Sequence, residues 1–305
     1  MSRRPAVDVE ALKQRVEDAK QSLEQQLSSL VASDGWQATL ESMAVLGKTS
    51  IARLSFRNFL LLLAQRDDIA HAATFQAWRA MGRTVKRGEK ALYVLKPRFA
   101  RKSEGHADDD KKLIGFGVLP LFSLDQTEGP PLESRVEPLD FEESATFEHT
   151  VEQLRALALA RCPHVASIEL RPRAPTDNAG WAGWFHRPTR SIVVLTDAPP
   201  QQQFATLVHE LAHAILHGEV NHHERPRKEV EAESTAFVVC HALGLDTSRF
   251  SLPYVASWAD SDVAEVASAG ENVRRAALTI LDALVGDPSV ADAAAPAVDD
   301  TSLAA

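Results

Sequence analysis

The sequence predicts a mixed α/β fold of the α+β type, with a first domain of helices around a small sheet and a second domain that is mainly helical. Its 305 residues, 45% hydrophobic and 25% charged, are typical of a soluble globular protein of about two domains. A stretch with three prolines and four acidic residues, 129–142, interrupts the periodic segments and is the best linker candidate. We therefore expect domains over residues 1–135 and 143–286, followed by a small, acidic, disordered tail over residues 287–305.

The elements expected in the first domain follow from hydrophobic periodicity and from turn residues. Apolar residues that recur every three or four positions predict helices, and Thr74 and Gly82 bracket a short one. Apolar segments that stop at proline or at a Gly-Pro-Pro turn predict strands. The predicted helices cover residues 8–31, 37–46, 58–65 and 75–81, and the predicted strands cover residues 91–95 and 113–124.

The second domain is expected to combine four helices with two short strands. The same periodicity argument predicts helices over residues 146–161, 201–217, 228–243 and 262–285, and strands over residues 167–171 and 190–196. A glycine-containing loop that carries Trp181 and Trp184 is expected to join the two strands.

No segment of the sequence predicts a membrane span. The longest uninterrupted apolar run, Phe59–Ala64, has six residues, whereas a membrane-spanning helix needs about 20. The first residues lack the apolar stretch of a secretory signal, and Cys162 and Cys240 cannot form a disulfide framework. These features predict a cytoplasmic protein without a membrane partner, and they favour no particular oligomeric state.

Positive charge is concentrated in one stretch of an otherwise acidic chain. Residues 1–135 carry 21 Lys and Arg against 17 Asp and Glu, whereas residues 136–305 carry 12 against 25. Between Arg79 and Lys102, nine basic residues accompany one acidic residue, Glu89. This pattern predicts one local anion-binding face and argues against general binding of polyanions.

Aromatic residues interleave with these cations, as they do in surfaces that bind phosphates and stack on bases. Phe75, Tyr93 and Phe99 are candidate stacking rings, although rings in such a stretch commonly belong to a core. The residues predicted to contact nucleic acid are Trp78, Arg79, Arg83, Lys86, Arg87 and Lys90.

The most specific motif is His209-Glu210-Leu211-Ala212-His213. Residues four apart lie on one face of a helix, so both imidazoles can bind one metal ion. Two histidines and a carboxylate are usual ligands of a catalytic zinc ion, which makes Zn²⁺, or another divalent ion such as Mn²⁺, the expected cofactor. Glu210 lies beside that face, where it can accept a proton from the activated water as the general base.

The next predicted helix supplies candidate carboxylates. Glu229 is the predicted third ligand, and Glu233, one turn later, is predicted to accept a hydrogen bond from a ligand imidazole and to fix its tautomer. Glu231 lies off that face and is the weaker candidate. His217 lies about 12 Å along the helix from His209, too far to share the ion, and is interpreted as a helix C-terminal residue favoured by the dipole.

The N-terminal half of the chain resembles a known family. Residues 36–130 resemble the N-terminal domain of the ArdC-type antirestriction proteins of plasmids and phages, and residues 1–35 fall outside the resemblance. The matching segments are Ser55–Leu60, Trp78–Lys90 and Gln126–Gly129. The resemblance implies a domain that binds single-stranded DNA.

The C-terminal half resembles the zincin-like metallopeptidase domain of ImmA/IrrE-like and ArdC proteins. Residues 180–245 carry the likeness through the HExxH motif and the segment from Glu229 to Glu233, and it supports Glu229 as the third ligand. Position 233 is a departure, because ImmA/IrrE-type sequences often have Asn or Asp there.

Together, the two resemblances predict a mobile-element antirestriction protein that binds single-stranded DNA and carries a metal-dependent peptidase site. One alternative is a regulatory metalloprotease that cleaves a repressor. Another is a DNA-binding protein whose metal site is not catalytic. Single-stranded DNA is the expected partner, joined by a protein substrate if the site is catalytic.

Overall fold

The computed structural model describes residues 9–31, 35–46, 49–101, 111–132, 141, 144–186, 188–218, 225–247 and 263–285. Within these residues the chain divides into two compact units. The first unit contains residues 9–29 and the described residues from 49 to 132, and the second contains residues 30–46 and those from 141 to 285.

The described part of the chain contains both helices and strands, which confirms the predicted mixed fold class. The helices are α1 (Val9–Val31), α2 (Gly35–Leu46), α3 (Phe56–Gln65), α4 (Phe75–Ala80), α5 (Ser144–Arg161), α6 (Pro200–His217), α7 (Arg225–Ala242) and α8 (Val263–Val285). The strands are β1 (Ala72–Ala73), β2 (Thr84–Val85), β3 (Leu92–Arg101), β4 (Lys111–Ser123), β5 (Thr127–Glu128), β6 (Ser167–Arg171), β7 (Gly183–His186) and β8 (Ser191–Leu195). Each predicted helix is confirmed, with small shifts of its ends.

The first unit is built around a long antiparallel hairpin of β3 and β4, with β1 on the other side of β4. β3 runs well past the predicted strand 91–95, because it is an edge strand and therefore tolerates Pro97. The inner end of the hairpin packs on α1 and α3 through a small apolar cluster of Val16, Ala19, Leu61 and Leu95.

Two amide side chains of α3 satisfy the free edge of β3. Buried Asn58 donates to the carbonyl oxygen of Leu95 and accepts from its backbone N–H, each at 2.9 Å. Gln65 makes the same pair of bonds to Tyr93, at 2.8 and 2.9 Å, on a more exposed part of the edge. Since unpaired buried backbone groups are costly, these amides replace the missing neighbouring strand.

The second unit has a three-stranded sheet in the order β6-β8-β7. The central strand β8 pairs parallel with β6 and antiparallel with β7, and every one of its residues is buried. The chain leaves β8 and enters α6, which packs against the sheet and against α5, α7 and α8. The buried residues of α6 recur at three- and four-residue steps, from Phe204 through Leu207, Val208 and Leu211 to Ala214.

Helix α2 packs in the second unit, although it precedes the first unit's sheet in the sequence. It lies against α7, and the buried indole N–H of Trp36 donates to Ser234 Oγ at 3.0 Å. The predicted first domain, 1–135, included this helix because sequence order was the available guide. The linker proposed for residues 129–142 lies in large part outside the described residues, as does the predicted tail from residue 287.

Strand β7 is an element that the sequence analysis assigned to a loop. Its four residues, Gly183–His186, are half-buried without alternation, so they carry no period-two signal. Pairing with β8 alone makes them a strand. Among the described helices, none has the length and apolar character needed to cross a bilayer.

Candidate metal centre

The two helices of the HExxH region bring three predicted ligands together. His209 and His213 lie one turn apart on α6, and Glu229 lies on α7. The two Nε2 atoms are 3.1 Å apart, and Oε2 of Glu229 lies 3.7 Å from His209 Nε2 and 3.5 Å from His213 Nε2. Small, fully buried residues on α7, Ala232 and Ala236, allow this close approach of the helices.

The triangle of donor atoms fits a divalent ion. A tetrahedral ion with bonds of about 2.0–2.2 Å holds its ligand atoms about 3.3–3.6 Å apart, close to the three measured edges. Among the described residues, these three form the group of histidine, cysteine and acidic side chains that is close enough to hold one ion. Two imidazole nitrogens and one carboxylate oxygen suit zinc and also manganese.

Burial and neighbouring side chains shift the pKa values of all three candidate ligands. Burial lowers the pKa of His209, but the Glu229 and Glu233 carboxylates outweigh burial and raise it to about 9. Burial lowers the pKa of His213. The two imidazoles beside it hold the pKa of Glu229 well below its usual range.

Glu210, the predicted general base, lies in the same cleft as the ligands. Burial raises its pKa to about 7, and the negative charge of Glu229 adds to this rise while His209 opposes it. Strand β7 passes directly beside it, since a methyl group added to Gly183 would lie 3.6 Å from Glu210 Cγ. A carboxyl group with a pKa near neutrality can both accept and return a proton.

Glu233 contacts the imidazole of His209 at Nδ1, the nitrogen that does not face the other candidate ligands. Its Oε2 lies 3.0 Å from His209 Nδ1, so the ring can donate there and keep the lone pair of Nε2 free for a metal ion. This is the contact predicted for Glu233.

His217 is the last residue of α6, as predicted. Its side chain is 5% exposed and lies between His213, at 3.1 Å from Nδ1 to Nδ1, and Glu231, at 2.8 Å, a pair of contacts that the sequence analysis missed. Glu231, the weaker candidate ligand, lies outside the group of three candidate ligands and is a fully buried hydrogen-bond partner of His217. The i+4 spacing of His217 from His213 was the sequence signal that could have placed them together.

The cleft around the metal ligands has a volume of about 1290 Å³. Its walls come from α6, from α7, and from β7 with the segment before it. Trp181, 51% exposed, and Trp184 form an aromatic pair on one wall with ring centroids 6.1 Å apart. The cleft is therefore large enough for a segment of an extended chain beside the metal ligands.

Two of the predicted DNA-contacting residues belong to the interior of the first unit. Trp78 is 1% exposed, and its indole N–H donates to the carbonyl oxygen of Phe122 at 2.8 Å. Arg83 is 7% exposed and donates to Thr127 Oγ1 at 2.8 Å and to the carbonyl oxygen of Pro130. Both side chains stabilise the fold at this point, so their prediction as surface contacts is corrected.

The other four predicted contacts are exposed: Arg79, Lys86, Arg87 and Lys90. Lys86, Arg87 and Lys90 lie in the turn between β2 and β3, where Lys86 Nζ also donates to the carbonyl oxygen of Asp125 at 2.8 Å, and Arg79 lies on α4. Exposed Lys96 and Arg98 extend the cationic character along β3, and Phe99 follows them with an exposed ring. Of the candidate rings, Phe75 and Phe99 present a face to solvent.

Comparison with known families identifies both parts of the chain. Residues 15–127 match the family model of the N-terminal domain of the anti-restriction factor ArdC, and residues 166–276 match that of the IrrE N-terminal-like domain of the M78 peptidases. These are the two resemblances found in the sequence, in the same order. The first match begins within α1, which the sequence resemblance had left out.

The fold and the site thus define a chain with an ArdC N-terminal domain followed by a peptidase-family domain of the IrrE type. In this order of two domains the chain is similar to the ArdC-type proteins.

Individual similar proteins are more distant. The uncharacterized protein pXO2-81 of Bacillus anthracis is 26% identical over 238 residues, in an alignment that covers 66% of this chain and 40% of that protein. The chain thus spans less than half of that relative's length. Two crystal structures of the antirestriction ArdC protein from plasmid R388, metal-free and Mn(II)-bound, are each 19% identical, with TM-scores of 0.47 and 0.45. Each covers 75% of this chain, which in turn covers 83% of the solved chain.

Proposed function

We propose that this chain is an antirestriction-type protein that binds single-stranded DNA with its first unit and hydrolyses peptide bonds at a divalent-metal site in its second. The observation that carries the hydrolytic part is the triangle formed by His209, His213 and Glu229, whose edges suit one ion. The intact Glu210 beside it supports catalysis over a purely structural ion.

In this proposal, Nε2 of His209, Nε2 of His213 and a carboxylate oxygen of Glu229 hold the ion, with zinc as the ion proposed and manganese as the alternative. A divalent ion held there supplies a Lewis acid that polarises a water molecule and the scissile carbonyl group. Glu210 takes a proton from the attacking water and later donates it to the leaving amine.

The shape of the cleft supports a peptide substrate. A chain lying along the free edge of β7 would pass through the cleft, with the pair Trp181 and Trp184 on one wall. The exposed aromatic faces there suit an apolar or aromatic side chain of the substrate.

Replacement of Glu210 by Gln tests the catalytic part, because it keeps the size of the side chain and removes the base. We expect Zn²⁺ content and oligonucleotide affinity to stay unchanged, while cleavage of fluorescent casein or of a fluorogenic peptide library falls at least about 100-fold. The matched control is Glu148→Gln, the same change at an exposed position of α5. Equal cleavage by Glu210→Gln, or none by the unaltered protein, would favour the alternative of a non-catalytic metal site.

The DNA-binding part is supported by the exposed cations around the β2–β3 turn. Single strands bind to cationic surfaces through their phosphates, and their bases stack on exposed rings. Phe99 is exposed and suits such stacking, whereas Trp78 is buried and does not. The second unit is acidic, so the cationic turn is the proposed dock.

A salt titration of oligonucleotide binding tests this assignment. The double variant Arg87→Ala with Lys90→Ala should weaken binding and flatten the slope of log affinity against log salt by about 1.4, the value for two lost phosphate contacts on a single strand. The control is Lys13→Ala with Lys20→Ala, which removes the same charge from exposed positions of α1. If both double variants change the slope equally, the turn is not the dock.

A further inference from the structure

A line of hydrogen-bonded side chains leads from His213 into the interior between α6, α7 and α8. Nδ1 of His213 lies 3.1 Å from Nδ1 of His217, and Nε2 of His217 lies 2.8 Å from Oε2 of Glu231. The second oxygen of Glu231 accepts from Arg227 Nε at 3.0 Å and from Asn272 Nδ2 at 3.1 Å. The proposed hydrolysis uses none of the last four residues directly.

The direction of each hydrogen bond follows from its two ends. His213 must keep a lone pair on Nε2, which faces His209 and Glu229, so its proton lies on Nδ1. Nδ1 of His217 then accepts this proton's hydrogen bond, and the proton of His217 lies on Nε2 and points at Glu231. Every donor in the line meets one acceptor, and the line ends on a carboxylate.

Glu231 is well suited to be that fixed end. It is fully buried, and a buried carboxylate needs compensating donors. Arg227, itself buried, supplies a positive charge, and its second nitrogen donates to Ser268 Oγ at 3.0 Å. Its two oxygens accept hydrogen bonds from His217, Asn272 and Arg227, and the guanidinium of Arg227 is always charged. The acceptor is therefore paired with a cation and held in place from α6, α7 and α8.

We infer that His217 and Glu231 are positioning residues of the metal centre, which hold His213 as the Nδ1–H tautomer with Nε2 directed at the ion. The inference rests on the proposed metal site. Glu233 does the same for His209 by direct contact, so each imidazole has its own carboxylate, and that of His213 acts through a second imidazole. Through Asn272 and Ser268, α8 contributes to the site without approaching the ion.

The substitution Glu231→Gln reverses the direction of donation along the line of hydrogen bonds, with almost no change in side-chain shape. Arg227 and Asn272 both donate to one oxygen of the side chain, so the amide oxygen of Gln must stay there, and its NH₂ group must face His217. The amide then donates to His217 Nε2, which moves the proton of His217 to Nδ1. His213 is driven to the Nε2–H tautomer, whose proton occupies the position of the ion.

The experiment measures binding of Zn²⁺ to the metal-free full chain by competition with a chromophoric chelator. We expect Glu231→Gln to weaken Zn²⁺ binding about 10- to 100-fold, while circular dichroism stays native. The matched control is Glu271→Gln on α8, where the carboxylate pairs with Arg274 outside the line, and its affinity should match that of the unaltered chain. In ¹⁵N-imidazole spectra of the metal-free chain, the His213 tautomer should change in Glu231→Gln alone.

Unchanged Zn²⁺ affinity in a folded Glu231→Gln protein, or an unchanged His213 tautomer, would overturn the inference. If that variant does not fold, His217→Ala replaces it, with a loss of about tenfold expected and an unchanged affinity contradicting the inference. Failure of the proposed metal site has a different signature, because the unaltered chain would then bind no Zn²⁺ at all.

Discussion

Gly183 sets how closely β7 approaches the helix that carries the metal ligands. A methyl group at this position would lie 2.6 Å from Thr206 Cγ2 and 2.9 Å from the carbonyl oxygen of Val193. Carbon atoms in contact are normally about 3.5–4.0 Å apart, so Gly183→Ala must move β7 away from α6 by about 1 Å. Overpacking of this size costs about 1–3 kcal/mol. The same movement opens the cleft beside Glu210.

A second substitution separates this clash from a general effect on the strand. Thr206→Ser removes the methyl group that the new side chain meets, and it keeps the hydroxyl that donates to the Gln202 carbonyl oxygen at 2.9 Å. We expect the double variant Gly183→Ala with Thr206→Ser to recover at least part of the lost free energy of unfolding. The remaining loss reflects the contact with Val193.

Urea unfolding provides the assay, followed by far-UV circular dichroism and by tryptophan fluorescence, since Trp181 and Trp184 flank the substituted position. The four proteins of the double-mutant cycle should give a coupling free energy of about 0.5 kcal/mol or more. Strict additivity of the two substitutions, or a Gly183→Ala protein as stable as the unaltered one, would refute the reasoning about this approach.

Three further predictions concern the site's protons, the edge of β3 and the buried arginine. His209 has a pKa of about 9 without metal and must lose its proton to bind an ion. The affinity for Zn²⁺ should therefore rise about tenfold per pH unit from pH 7 toward 9. Calorimetry that finds no proton release on Zn²⁺ binding at pH 7 contradicts this. Asn58→Ala leaves two buried backbone groups of Leu95 unpaired and should lower the free energy of unfolding in urea by about 2–4 kcal/mol. Gln65→Ala, on the exposed part of the edge, should lower it by less than about 1 kcal/mol. Equal losses would be inconsistent with the pairing of Asn58 to Leu95. Arg83→Met should destabilise the protein by about 1–3 kcal/mol and leave the salt slope of oligonucleotide binding unchanged; a flatter slope would restore Arg83 as a phosphate contact.

The helices and the shared face of His209 and His213 were predictable because each depends on spacing along one helix. His209 and His213 share a face by the geometry of α6 alone. Glu229 required only that the next helix return beside the first. The family resemblance supported the same choice.

Features that depend on several elements at once were not predictable in this way. The face of Glu231 was judged from α7 alone, but that helix is surrounded by α2, α6 and α8, so even an off-face carboxylate is buried. β7 has too few residues for a period, and its pairing with β8 makes it a strand. Trp78 and Arg83 have the composition of a nucleic-acid surface, and only the contacts with Phe122 and Thr127 show that they face inward.

The most direct test of the metal centre is the ion content of the purified, reconstituted chain. After dialysis against Zn²⁺ and removal of free ion, mass spectrometry of the metal should find one ion per chain, and none in His209→Ala or Glu229→Gln proteins that retain native circular dichroism. A chain that binds no ion, or folded variants that bind as much as the unaltered protein, would contradict a site built from α6 and α7.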